Sequence, residues 1–198
     1  MPAKKPGKKM PPPRVPILSE ESLAPAQRAL LDSIRSGPRG GSTTIRGPFA
    51  VFLHAPTFGE LAQQLGGFCR FKTGVPPRLS EFAILTTARL WRAQYEWFAH
   101  VPQAERAGVK PETIRDLHKG RAPKGAPKDE RAIYDFIQEL YKTRRVSERT
   151  YKRVHAVLGD VAMVELIGIL GYYGLVAMML DVFNVTLPEG ATPAFAEK

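Results

Sequence analysis

Phe82-Ala83-Ile84-Leu85-Thr86-Thr87-Ala88 and, a short polar interval later, Tyr95-Glu96-Trp97-Phe98-Ala99-His100 decide the reading of this chain. Both segments are too apolar all round for a helix with one face in water, so they read as helix buried in a core. Ionisable groups inside such segments are half-buried and cost free energy unless they are partnered or used. Glu81, Glu96 and His100 are those groups, and nowhere else does acid–base chemistry gather within an apolar stretch. No segment of any length alternates with the period of two that marks a strand, so the expected fold class is all-α.

Outward from this centre, Val75-Pro76-Pro77-Arg78-Leu79-Ser80-Glu81 reads as a turn into the first apolar helix, with Ser80 as its N-cap. The stretch from Ser80 to Gly108 fits one helix or two, since Arg92-Ala93-Gln94 and Pro102 interrupt it. Upstream, Leu18 to Ile34 reads as a helix capped by Ser19 or Ser22 and stopped at Gly37-Pro38. A loop follows to Pro48, then a short helix over Phe49 to Leu53, and Thr57 caps a helix through Phe71.

Downstream, Pro111 opens a short helix to His118 and residues 120–128 form a Gly/Pro linker. Ala132, Ile133, Phe136, Ile137, Leu140 and Tyr141 give an amphipathic helix beginning at Asp129. Ser147 caps the next helix, Gly159-Asp160 breaks it, and an apolar helix runs on to about Phe183. Lys72-Thr73 before Val75 resembles Lys142-Thr143 before Val146, a short hint of a duplicated helical unit.

A length of 198 residues suits one core, and the expected domain is 17–190, with a disordered basic tail at 1–16 and a flexible C-terminus at 191–198. The net charge of +10 looks like a nucleic-acid signal until it is divided along the chain. Lys4, Lys5, Lys8, Lys9 and Arg14 precede any acid, so half the excess belongs to a Pro/Lys/Gly tail that buries nothing. Nucleic acid is therefore not the expected partner. The tail has neither the apolar core of a secretory signal nor the Arg/Ser-rich amphipathic pattern of a mitochondrial presequence, and the cytoplasm is the expected compartment. Val161 to Phe183 is the most hydrophobic window, but Glu165, Asp181, three glycines and two tyrosines fit a buried helix better than a membrane span.

One cysteine, Cys69, excludes a disulfide within the monomer and reads as a small buried hydrophobe. His54, His118 and His155 are isolated and carry no metal-ligand spacing; no phosphate-binding glycine loop and no Ser-His-Asp order with supporting context is present, and no metal site is expected. Tyr95 and Trp97 read as core.

With this arrangement, the chain resembles the carboxymuconolactone decarboxylase family, whose fold is shared with the alkyl hydroperoxidase D-like proteins. The resemblance spans Phe49 to Pro188. It rests on Leu79-Ser80-Glu81-Phe82-Ala83-Ile84-Leu85, on Tyr95-Glu96-Trp97-Phe98-Ala99-His100, on Ala107-Gly108-Val109 leading to Ile114, and on Leu170-Gly171-Tyr172-Tyr173-Gly174-Leu175-Val176-Ala177-Met178. It implies a helical bundle in which the chain bends near Arg92 to Gln94, Glu81 lying on one helix and Glu96 with His100 on the next.

The thiol branch of that family carries a Cys-x-x-Cys motif that would fall on positions 93 and 96, which here are Ala93 and Glu96. Without a resolving pair, thiol–disulfide exchange has no mechanism. What the resemblance then implies is a decarboxylase acting on a small lactone or organic acid of aromatic catabolism, without metal or organic cofactor, in a homo-oligomer. Glu81, Glu96 and His100 would be catalytic, and Arg89 or Arg92 would bind the substrate's carboxylates.

Glu96 and His100, four apart, share one helix face, so a Glu96–His100 contact is expected and His100 suits a proton donor. Glu81 either fixes the other ring nitrogen or acts as a second acid–base group. If both glutamates crowd one pocket, one of them holds a proton at neutral pH. The competing expectations are a peroxidase-like protein using Cys69, and a non-catalytic assembly or nucleic-acid-binding protein led by the basic tail.

Overall fold

The computed structural model describes residues 11–41 and 43–196; among them the chain forms eight α-helices and no strand. These are α1 (Pro25–Ser36), α2 (Pro48–Phe52), α3 (Pro56–Phe71), α4 (Pro77–Trp91), α5 (Gln94–Arg106), α6 (Pro111–His118), α7 (Lys128–Thr143) and α8 (Glu148–Val182). The helix α4 is the axis of the bundle and packs on α5, α6, α7 and α8. Leu79, Ser80 and every residue from Phe82 to Ala88 are buried in it, as an all-round apolar helix requires.

Proline sets most of the helix starts. Five of the eight helices open on a proline, where the missing N–H is one the helix would leave unbonded and the fixed φ already matches the helix. This moves three boundaries from their expected places. Ser80 does not cap α4; the helix begins at Pro77 and Ser80 N–H already donates to Pro76 O at 2.9 Å. Pro56, not Thr57, governs the start of α3. The expected helix from Leu18 is split into a 3-10 turn at Glu20–Ser22 and α1, because Pro25 forces Ala24 into an extended conformation (φ −63°, ψ 159°).

The stretch from Ser80 to Gly108 lies in two helices. Arg92 closes α4 in the left-handed region (φ 58°, ψ 31°), Ala93 is extended, and α5 then absorbs Pro102 without ending. Ser147 does cap α8, accepting from Thr150 N–H, and Gly159 (φ 71°, ψ −176°) kinks that helix where the break was expected. Lys72-Thr73 and Lys142-Thr143 both lie where a helix closes, α3 and α7 respectively.

Two groups of apolar side chains make the core. The larger joins α4 to α5, α6, α7 and α8; the smaller holds Leu30, Leu31 and Ile34 of α1 against Phe52, Leu53 and Ala62. At the α3–α8 contact a Cβ on Gly66 would meet the Tyr172 hydroxyl at 2.1 Å, so only glycine admits the tyrosine there. Helix α8 is long and apolar enough to cross a membrane, yet 56% of that stretch is buried within the fold, the pattern of a core helix.

The expected basic tail lies mostly in residues 1–10, outside the described residues; within the described part, Arg14 N–H donates to Phe183 O at 3.0 Å. The segment 191–196 is also docked rather than loose. Phe195 is buried, stacks on His118 at 5.5 Å, and exchanges two hydrogen bonds with the Gln94 side chain.

Candidate active site

The α4–α5 turn brings Glu81 beside His100. Nδ1 of the imidazole lies 2.7 Å from Glu81 Oε2, and both side chains are largely buried, 6% and 13% exposed. The ring stands edge-on to Tyr173 of α8, centroids 4.9 Å apart at 88°. The Nδ1 bond goes to Glu81 and not to Glu96, the expected partner four residues away.

Glu96 is 2% exposed, and neither of its carboxyl oxygens has a hydrogen-bond partner among the described residues. Burial, reinforced by the nearby Asp181, pushes its pKa well above the ordinary carboxylate range, so the neutral acid is the favoured form. Glu96 and His100 line one cavity of about 280 Å³, closed on the α8 side by Tyr172 and Tyr173. Burial holds both phenols in the neutral form, Tyr172 pushed up to about 12 and Tyr173 well above its ordinary value.

The cationic wall of this cavity is Arg39, Arg46 and Arg70, from the loop after α1 and the end of α3. Among the described residues none of the three pairs with a carboxylate. Arg39 lies over the Phe49 and Phe71 rings, at 5.2 and 5.9 Å, and donates to Gln63 O at 3.2 Å; burial lowers its pKa from the usual guanidinium value. A desolvated guanidinium without a counter-ion beside an open cavity is a receptor for a carboxylate.

Arg89 and Arg92 do not reach this cavity. Arg89 donates to His118 O at 2.9 Å and lies over the Phe195 ring, while Arg92 donates to Ala196 O. Both hold the C-terminal segment. The sequence signal for this group of arginines is weak: Arg39 and Arg46 belong to a loop far from α5 in sequence.

Cys69 is fully buried in α3 and its thiol is pushed up to about 11 by desolvation. Among the described residues no group of His, Cys, Asp and Glu is placed to hold a metal ion. Position 93, where the thiol branch would carry its first cysteine, is the extended residue before α5, and position 96 is the buried acid just described.

No family model matches the chain, and no curated protein does. A solved structure does: the alkylhydroperoxidase AhpD core of an uncharacterized peroxidase-related protein from Ralstonia eutropha, with a TM-score of 0.72 over 90% of this chain and 94% of that one. The chain has the AhpD-core fold. At 17% identity the likeness extends to the fold and no further.

Proposed function

We propose that this chain is a cofactor-free, lyase-type enzyme that decarboxylates a small organic acid of the carboxymuconolactone kind, working in the cytoplasm as a homo-oligomer. The observation that carries the reading is Glu96, an unpartnered neutral acid sharing a cavity with a histidine already oriented by Glu81 and with three arginines free of carboxylates.

The division of labour follows from the chemistry. The arginines bind the substrate's carboxylates. Loss of carbon dioxide breaks a C–C bond and sends its electron pair into the substrate's conjugated lactone carbonyl. Glu96 O–H donates to the oxyanion that develops there, an interaction worth roughly 3 kcal/mol when well aimed. His100 in its charged form, steadied by Glu81, delivers a proton to carbon from Nε2 and regains it from water. Glu81 is then the positioning residue, the first of the two roles open to it on the sequence.

A thiol peroxidase reading draws on the name of the AhpD-core neighbour but has no residue to carry it, since the one cysteine is buried and held as the thiol. The test is an ultraviolet-monitored panel of muconolactone-type acids with wild type and His100→Ala. The expected result is decarboxylation that the substitution abolishes; full activity in the variant removes His100 from the mechanism.

A further inference from the structure

A second cavity, about 260 Å³, lies on the other side of Arg46 and Tyr95, which line both it and the His100 cavity. Its remaining walls are mainly apolar, among them Ile17, Ala50, Val51, Val185 and Leu187. The partition is built on purpose-made backbone. Gly47 holds φ +58°, and a Cβ there would stand 2.4 Å from the Tyr95 ring, so glycine is what lets the loop close over the tyrosine. Arg46 sits at the mouth, without a carboxylate partner among the described residues.

We infer that the substrate is an amphiphilic acid whose carboxylate is held by Arg46 at the shared wall and whose apolar tail occupies the chamber behind Tyr95. This rests on the acid-binding reading of the His100 cavity and extends it: the proposed chemistry needs only the head, and the second chamber selects the tail. Tyr95 is the specificity-determining residue, its ring setting the passage between head site and tail site. Glu189 is the one acid in the chamber lining and repels a second carboxylate, whereas each methylene buried against Val51, Val185 and Leu187 tightens binding about fourfold.

The experiment is calorimetric titration of the full chain with butyrate, hexanoate, octanoate and decanoate. The expected result is affinity that climbs by about an order of magnitude per step over hexanoate to decanoate. Ala50→Phe and, independently, Val185→Phe fill the chamber and should flatten the series while leaving butyrate binding in place; Arg46→Ala should weaken all four acids by a common factor. Affinity independent of chain length in the wild type overturns the inference, as does a series that stays steep in a folded chamber-filling variant. A flat series together with His100-dependent turnover of short acids ends the inference alone, and a steep series without turnover ends only the proposed chemistry.

Discussion

His100 gives its Nδ1 bond to Glu81, 2.7 Å away on the preceding helix, and makes no bond to Glu96 one turn away on its own helix. The two acids of the site thereby differ in environment: one is hydrogen-bonded to the imidazole, the other is a buried acid in the cavity wall with no hydrogen-bond partner among the described residues. Glu81→Gln keeps an oxygen to accept from Nδ1 but removes the anion that steadies the charged ring. The expected outcome is a kcat lowered about 10- to 100-fold with KM within about twofold of wild type. Steady-state kinetics on the acid turned over best checks this, and a KM effect alone would assign Glu81 to binding.

The arginines divide just as sharply. Arg39→Ala should raise KM roughly 10- to 100-fold, the worth of one hydrogen-bonded charge contact, and Arg89→Ala should leave KM unchanged while loosening the C-terminal segment. Equal KM values for the two variants would return the carboxylate site to an unknown place. Limited proteolysis near Phe195 reads the Arg89 effect separately.

Glu96 makes stability depend on pH in a direction opposite to that of a salt-bridged acid. Its folded-state pKa lies well above the ordinary 4.5, so between 4.5 and that raised value the folded chain binds the extra proton. Stability is then fully present below 4.5 and is lost as pH rises, by at most about 1.4 kcal/mol per unit for one proton. Glu96→Gln cannot ionise. The difference in unfolding free energy, variant minus wild type, should therefore move in favour of the variant from pH 4.5 to pH 8 in urea titrations. A difference constant with pH would mean that Glu96 is ionised in the fold.

The fold was legible in the sequence for one reason: an all-round apolar helix must be an axis. Helix existence followed from periodicity in α4, α7 and α8. Helix starts were misplaced where a serine or threonine was credited over the neighbouring proline, as at Ser80 against Pro77. The Glu96–His100 contact expected from spacing along one helix is not made, whereas the Glu81 bond, one of the two roles read for that residue, is; a contact between helices such as this one leaves no periodic signal in a sequence. The cationic wall was missed for the same reason: Arg39 and Arg70 meet only through the packing of the loop after α1 on α3.

Cys69 offers a test of the thiol reading that needs no substrate. A fully buried thiol pushed up to about 11 should react with an aromatic disulfide reagent only as fast as the chain opens, and at once in denaturant. Cys69→Ala should retain decarboxylation and lower stability by about 1 to 2 kcal/mol, measured by chemical unfolding. Rapid native labelling, or hydroperoxide turnover lost on alkylation, would reinstate the peroxidase reading.

The outer face of α8 argues for the proposed oligomer. Val157, Val161, Val164, Gly168, Gly171, Leu175, Met178 and Val182 follow a strict 4-3 spacing, and Val161 and Val164 are each 72% exposed. Between Val161 and Leu180 the one charged residue is Glu165, and it is engaged by Thr73 Oγ1 and Gly74 N–H. A 4-3 apolar seam is the pattern with which two identical helices pack, and the open space at Gly168 and Gly171 lets their backbones approach. A second copy of this chain is the occupant that such a self-complementary seam fits. Val161→Glu with Val164→Glu places four like charges across a two-fold seam. The expected outcome in light scattering is an oligomer for wild type and a monomer for the double variant, with the apparent Kd raised more than about 100-fold and helix content by circular dichroism preserved. A wild type that is monomeric at tens of micromolar, or that sediments with lipid vesicles until the seam is charged, would overturn the assignment of this face to a second copy.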